Sequence, residues 1–339
     1  MLYESLRRYA PNSRLHVLCL DDAAYDRLVE LNPEQLVPIR LGDFEANDDA
    51  LRTAKGNRSL VEYYFTCTPS LPLFVLRQRP ELSAVFYVDS DFFFFADDQS
   101  LREELSQGSV LIVEHRYPSQ WRSHERFGKF NVGVLGFRNN AEGRSCLEDW
   151  RAQCLEWCHD RVEDGKFADQ KYLDAWPHLY RGVVVSSHPG INLAPWNKGN
   201  YRLSEVKGRP CVDGFPVVCF HFHGVKFAGG KLIQPQAMDY GTKLDASWFN
   251  WIYRPYLERL IAAEKQYSAD ASGDIRYRGS ASAFDALTRQ EPTQLYWSFG
   301  NGFLQVPTVL LKSLSMMRRF AGSGLRLLRR LVPFLHHAP

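Results

Sequence analysis

The segment Phe86-Tyr87-Val88-Asp89-Ser90-Asp91-Phe92-Phe93-Phe94-Phe95 sets two carboxylates two residues apart where an apolar run ends. In extended backbone, residues i and i+2 share a face, so Asp89 and Asp91 are expected to project together. Like charges so placed repel unless a cation or a proton lies between them. A hard divalent ion, Mn²⁺ or Mg²⁺, suits oxygen ligands and keeps coordination positions for phosphate oxygens. The same two residues would also serve merely to end a strand and cap a turn. A second segment, Val217-Val218-Cys219-Phe220-His221-Phe222-His223-Gly224-Val225-Lys226, alternates two histidines with apolar residues before a glycine and a lysine. An imidazole could complete an oxygen-rich Mn²⁺ site and the ammonium could meet phosphate charge. Equally, each histidine could be a core residue satisfied by one hydrogen bond.

Three further stretches lie between these. Phe130-Asn131-Val132-Gly133-Val134-Leu135-Gly136-Phe137 puts one amide on an otherwise apolar strand. Phe167-Ala168-Asp169-Gln170-Lys171-Tyr172-Leu173 is expected to open a helix, where Asp169 could act as a cap. His188-Pro189-Gly190-Ile191-Asn192-Leu193-Ala194-Pro195-Trp196-Asn197 offers amides and an indole suited to sugar hydroxyls and sugar faces, or to stabilising turns.

These residues need a scaffold, and the first 220 residues supply alternating strand-like and helix-like segments. Strands are expected at 15–20, 37–41, 84–88, 110–113 and 131–137, and a long helix at 142–162. Residues 58–79 read as a helix broken by Pro69 and Pro72. This alternation predicts an α/β fold with a mostly parallel sheet covered by helices on both faces. The open end of such a sheet, where Asp89 stands, is where ligands gather. From Tyr201 onward, Lys207-Gly208 and Asp213-Gly214 signal hairpins and a small antiparallel annex. Residues 247–267 read as a helix and 268–283 as a linker. We therefore divide the chain into a catalytic domain at 1–230, a helical extension and linker at 231–300, and a basic tail at 301–339.

Composition narrows the function. The 339 residues are 45% hydrophobic and 24% charged, which supports a large core and argues against disorder. Residues 301–339 hold six basic and no acidic residues, so the rest carries 35 basic against 39 acidic. No basic stripe with interleaved aromatics runs through the body, which argues against a nucleic-acid binder. The seven cysteines are odd in number and scattered, which points to reduced thiols and a cytoplasmic setting. Segments 303–320 and 325–335 intersperse apolar residues with arginines, as amphipathic helices on an anionic membrane do. Peripheral attachment to the inner face of the plasma membrane follows as an expectation, beside the alternative of a helix packed on the domain.

The order of motifs, D-x-D, F-N-x-G-x-x-x-F, A-D-Q-x-x-L, an Asn-containing loop and H-x-x-G, resembles the GT-A glycosyltransferases over residues 1–230. It is most similar to glycosyltransferase family 8 and related bacterial enzymes of surface-polysaccharide synthesis. The resemblance implies a GT-A, Rossmann-like fold of the nucleotide-diphospho-sugar transferases. It implies Mn²⁺ or Mg²⁺ held by Asp89, Asp91 and His221 on the diphosphate of a nucleotide sugar, expected to be a UDP-sugar. It places Asn131, Asp169 and Gln170 around the donated sugar and Lys226 toward phosphate. Beside the resemblance, Arg58, on the helix ahead of the D-x-D strand, could add charge toward the diphosphate or equally be a surface residue, and Asn192 of the later loop is a further candidate for donor binding. It also implies retention of anomeric configuration and a glycan or lipid-linked acceptor. The chain departs from the family at Lys226, which stands one place early without the family's Pro-Trp, and at its beginning. Met1-Leu2-Tyr3-Glu4-Ser5-Leu6-Arg7-Arg8-Tyr9 resembles the family's first helix, so the first strand is expected to be missing. The competing readings are an inactive pseudo-glycosyltransferase or membrane adaptor, and a metal-dependent phosphodiesterase. A nucleotidyltransferase would need a glycine-rich phosphate loop near the N-terminus.

Overall fold

A computed structural model describes residues 1–228, 231–233, 245–269, 295–299 and 302–306. The chain divides into two compact units, residues 1–223 with 247–252, and residues 224–246 with 253–339.

The first unit is α/β. Helix α1 (Leu2–Tyr9) leads into β1 (Leu15–Cys19), then α2 (Asp22–Leu31) and β2 (Leu36–Arg40), which pairs parallel to β1. Helices α3 (Leu41–Glu45), α4 (Asp49–Lys55) and α5 (Leu60–Gln78) precede β3 (Ala84–Val88). After β3 come β4 (Phe92–Phe94), α6 (Gln99–Ser106), β5 (Val110–Glu114), β6 (Phe130–Arg138), α7 (Ala141–Glu156), α8 (Trp176–Leu179) and β7 (Val183–Val185). The central sheet has the order β3-β6-β5-β7. β6 runs antiparallel to both β3 and β5, and β7 runs parallel to β5. Three of the four strands thus share one direction and β6 alone is reversed. β6 is buried along its length to Phe137, against Trp150 of α7 and Leu73 and Leu76 of α5.

Two expectations about helices need correction. α5 is one helix of 19 residues, with Pro69 and Pro72 inside it. Both prolines are buried, and the apolar contact of α5 with α7 and β6 outweighs the lost N–H bonds. Its start is fixed by a capping box in which Ser59 and Glu62 satisfy each other's backbone N–H. α7 stops at Glu156 because Trp157 takes extended backbone.

The expected annex is present as β8 (Leu203–Val206), β9 (Arg209–Val212) and β10 (Phe215–Pro216), all antiparallel. Its turns are Lys207-Gly208 and Asp213-Gly214, where φ is positive at all four residues, as two-residue hairpin loops require. β11 (Cys219–His221) then pairs antiparallel with β4.

The second unit holds an antiparallel sheet of β12 (Lys226–Ala228), β13 (Lys231–Ile233), β14 (Leu295–Phe299) and β15 (Gly302–Val306), with helix α9 (Arg254–Ala269). The span expected to be helix and linker therefore contains strands as well. Residues 303–306, expected to begin an amphipathic helix, are strand: Phe-Leu-Gln-Val favours β structure and pairs with β14. The remainder of the basic tail, 307–339, and most of the expected linker lie outside the described residues. Among the described residues no helix is long and apolar enough to cross a membrane. All seven cysteines are buried and free of disulfides.

Candidate metal and donor site

The carboxylate pair sits in a turn. Phe92 N–H donates to Asp89 O at 3.1 Å, which folds Asp89–Phe92 back so that β4 can leave β3. This corrects the expectation of extended backbone through Asp91. The turn is pinned on both sides, since Asp89 N–H donates to Gly133 O at 3.0 Å and Phe222 N–H donates to Asp91 O at 2.9 Å. About a third of each side chain, 33% for Asp89 and 39% for Asp91, stays open to solvent.

β11 delivers the imidazoles. Its pairing sets His221 opposite Phe92, on whose ring it stacks at 4.4 Å. His221 Nε2 lies 3.0 Å from Asp91 Oδ1 and 3.8 Å from Asp89 Oδ2. One ligand atom each from Asp91, His221 and His223 falls within 4.8 Å of the others. Asp89 stands at the rim of this group, its Oδ1 accepting the Tyr87 hydroxyl at 2.8 Å. A carboxylate and two imidazoles around one point form a mixed oxygen–nitrogen donor set, which fits Mn²⁺ better than the all-oxygen preference of Mg²⁺. His221 Nδ1 is buried without a hydrogen-bond partner, so no protein acceptor fixes the ring's tautomer.

Charge follows geometry. Burial raises the Asp89 carboxyl, and the His221 charge only partly opposes this. Burial also works to raise Asp91, but its hydrogen bond to His221 and the charges of both histidines leave it below the usual carboxylate range. Burial and the neighbouring His221 charge lower His223.

The expected sugar-site residues converge beside this group. Asn131 Nδ2 faces Gln170 Oε1 at 3.4 Å and His115 Nε2 at 3.3 Å, while its Oδ1 accepts Gly133 N–H at 3.2 Å. Gln170 is held in turn by donating to Phe127 O at 3.0 Å. His115 Nδ1 lies 3.2 Å from Lys129 O, the arrangement in which Nδ1 donates and Nε2 accepts from Asn131. A register shift of β5 against β6 between Leu111 and Val113 re-aims the start of β6, where Asn131 lies. Gly133 leaves room for all of this. A Cβ there would stand 2.6 Å from Asn131 Oδ1, 2.7 Å from the Phe92 ring and 3.0 Å from His221 Nδ1.

Asp169 does not cap a helix; it precedes the short turn Lys171–Ala175, whose N-cap is Gln170. It is 5% exposed, and burial pushes its carboxyl up to about 7, with the nearby Thr68 hydroxyl opposing and the Asp89 charge adding. Trp150 Nε1–H fixes the Asp169 carbonyl at 2.8 Å.

Two other expected residues, Arg58 and Asn192, do not join the cluster. Arg58 precedes α5 and donates to the carbonyls of Leu155 and Glu156 at the end of α7, at 3.2 and 3.3 Å. Asn192 is 0% exposed and takes a φ of 57°, so it shapes its loop from inside. The Arg116 guanidinium holds that loop through the carbonyls of His188, Pro189, Ile191 and Asn192. Lys226 stands on β12 in the second unit. What the loop brings to the site is Trp196, edge-on to His221 at 5.3 Å and to His223 at 5.5 Å. His223, Trp196, Tyr87 and His115 are thus the additions. The alternation of His221 and His223 announced the first; nothing local announced His115.

Fold and site together define an α/β protein with a carboxylate–imidazole cluster at the open end of its central sheet. The chain is 30% identical over 262 residues to the Bacillus subtilis (strain 168) protein YfnD, covering 76% of this chain and 83% of that one. It is also 30% identical over 268 residues to YfnF of the same organism, covering 77% and 87%. The chain belongs to the family of these two proteins. No family model matches it. Among solved structures it is similar to mouse xyloside xylosyltransferase 1, with a TM-score of 0.41 and 13% identity over 66% of this chain and 90% of that one. It is also similar to a glycosyltransferase involved in glycosylation of the PBCV-1 major capsid, with a TM-score of 0.37 and 11% identity over 63% and 94%.

Proposed function

We propose that this protein is a GT-A glycosyltransferase that transfers a sugar from a nucleotide-diphosphate donor, a UDP-sugar, to a glycan or lipid-linked acceptor in surface-polysaccharide synthesis. The observation that carries the reading is convergence. Asp89, Asp91, Asn131, Asp169, Gln170 and His221 come from four separate stretches of chain, and they meet at the open end of one sheet.

Asp91, His221 and His223 would hold Mn²⁺, with Asp89 beside them. When bound, that ion neutralises negative charge developing on a diphosphate leaving group. The chain's own residues do the rest. Asn131 and Gln170, each fixed by hydrogen bonds to its neighbours, present amides to sugar hydroxyls. Asp169, with a carboxyl poised near neutrality, accepts or donates a hydrogen bond beside them. Trp196 walls the histidine pair and keeps water from one side of it.

Calorimetric titration with Mn²⁺, with and without UDP, tests the reading, followed by turnover of a panel of nucleotide sugars. We expect Mn²⁺ uptake that UDP strengthens, and release of UDP from one donor. Absence of Mn²⁺ uptake under both conditions would overturn the assignment.

A further inference from the structure

Between β5 and β6 the chain forms a 3-10 helix over Ser119–Phe127, nine residues long. Trp121 N–H donates to Pro118 O at 2.8 Å as it begins, and Gly128 N–H donates to Glu125 O at 3.0 Å as it ends. Three residues per turn stack the side chains at i, i+3 and i+6 in one row, whereas an α-helix would turn each about 60° from the last. Trp121, His124 and Phe127 occupy that row. The ring centroids lie 5.7 Å apart from Trp121 to His124 and 6.0 Å apart from His124 to Phe127. Phe167 prolongs the row, 4.8 Å from Phe127. None of the nine helix residues is buried, and the three rings are half-buried. Rings gathered on an element that builds no core mark a binding surface.

The row is tied to the candidate site at both ends. Phe127 O accepts from Gln170 Nε2–H at 3.0 Å, and Glu125 O accepts from Lys171 Nζ at 2.9 Å. Gly128 follows with a φ of 133°, and a Cβ there would stand 2.9 Å from Gln170 Cγ. The end of the helix therefore lies directly against the Gln170 side chain. From the other direction, Tyr117 lies 5.6 Å from His124 and 6.3 Å from Trp196, which faces His221 and His223. Rings thus run without a break from the histidine pair to Trp121. Gln120, Arg122 and Arg126 are exposed on the same helix and supply amide and guanidinium donors.

We propose that Trp121, His124 and Phe127 form the acceptor subsite, and that its occupant is a pyranose ring of a glycan, seated with its C–H face on the rings. The assignment rests on the proposed function, because an acceptor has to lie beside the sugar that Asn131 and Gln170 would hold. The chemistry of the surface selects a sugar. A pyranose is apolar on its ring faces and polar around its edge, and the row offers aromatic surface flanked by hydrogen-bond donors. An acyl chain would leave those donors unused.

The test uses the full chain with Mn²⁺ and UDP, and the methyl pyranosides of glucose, galactose, mannose, xylose and N-acetylglucosamine as probes. Calorimetry measures UDP uptake, and saturation-transfer NMR reads contact with the pyranoside C–H protons. We expect contact with at least one pyranoside, weakened about 10-fold or more in Trp121→Ala and largely restored in Trp121→Phe. UDP affinity in Mn²⁺ should stay within about twofold of the wild type in both variants. A wild type that takes up no UDP overturns the donor reading and the subsite with it. Normal UDP uptake without contact to any pyranoside, or equal contact in Trp121→Ala, overturns the subsite alone. So does contact with decyl phosphate but with no pyranoside, which would assign the row to a lipid. Loss of UDP affinity in both variants would also overturn it, by showing that the helix only supports Gln170.

Discussion

Asp169→Asn separates the cost of the site from its use. Burial pushes the Asp169 carboxyl up to about 7 from an ordinary value of 3.8. A carboxyl that holds its proton more tightly in the folded chain than in the unfolded one makes stability fall as pH rises. The loss begins above about pH 4, grows through the interval to pH 7, and is constant beyond it. That interval spans about three pH units, a ceiling of about 4 kcal/mol at 1.36 kcal/mol per unit. Asparagine has the same shape without the charge and leaves intact the main-chain carbonyl that accepts Trp150 Nε1–H. In chelator, the variant is expected to match the wild type near pH 4.5 and to exceed it by about 2–4 kcal/mol at pH 8.5. Urea unfolding followed by tryptophan fluorescence measures both. Saturating Mn²⁺ should narrow the difference, because a cation beside Asp89 reduces the repulsion that Asp169 meets. Sugar transfer should be lost although the variant is the more stable protein. A stability difference that is the same at both pH values, or a variant less stable at pH 8.5, would refute the reasoning.

Asp91→Asn removes the charged member of the metal cluster and should weaken Mn²⁺ binding by about 100-fold or more, since even loss of a supporting residue costs 10–100-fold; calorimetric affinity near that of the wild type would remove the assignment. Gly133→Ala forces a Cβ against Asn131, Phe92 and His221 and should cost about 1–3 kcal/mol together with weakened Mn²⁺ uptake. Glu62 is held down to about 2, chiefly by Ser59 N–H, with Asp160 N–H and His159 adding. Its contribution is therefore full above about pH 4.5 and lost as pH falls toward 2, so Glu62→Gln should destabilise by about 1–2 kcal/mol at pH 7 and by progressively less below pH 4.5, measured by urea midpoints. Burial pushes His115 down to about 3, so its ring nitrogen chemical shifts should stay constant from pH 5 to 8; a midpoint near 6.5 would show that the ring is not held as described.

Much of the site was readable because its residue types are out of place in their surroundings. Carboxylates at the end of an apolar run, an amide on an apolar strand and imidazoles alternating with phenylalanine each have to be explained, and Asp91, Asn131 and His221 do meet. What could not be read is the set of partners each one chooses. The period-two rule holds only while backbone stays extended, and the bond from Phe92 N–H to Asp89 O ends that at the critical place. Asp89 consequently stands at the rim, and His223 takes the position nearer Asp91 and His221. Arg58 was equally ambiguous, because a guanidinium serves a helix C-terminus as well as it serves a phosphate, and only tertiary structure brings Leu155 and Glu156 to it.

Strand direction is the clearest case of information that local pattern does not carry. Alternating strands and helices predict a mostly parallel sheet, and β3, β5 and β7 do run one way. The reversed strand is the one the site depends on. β6 starts at Phe130, and because it runs against β3, its first residues lie beside the last residues of β3. That is why Gly133 O can accept from Asp89 N–H and why Asn131 stands within reach of the histidine cluster. A β6 parallel to β3 would carry Asn131 and Gly133 to the opposite edge of the sheet, roughly 16 Å away over five residues. The amide on the apolar strand and the carboxylates at the end of the other can therefore belong to one site only if the sheet is mixed.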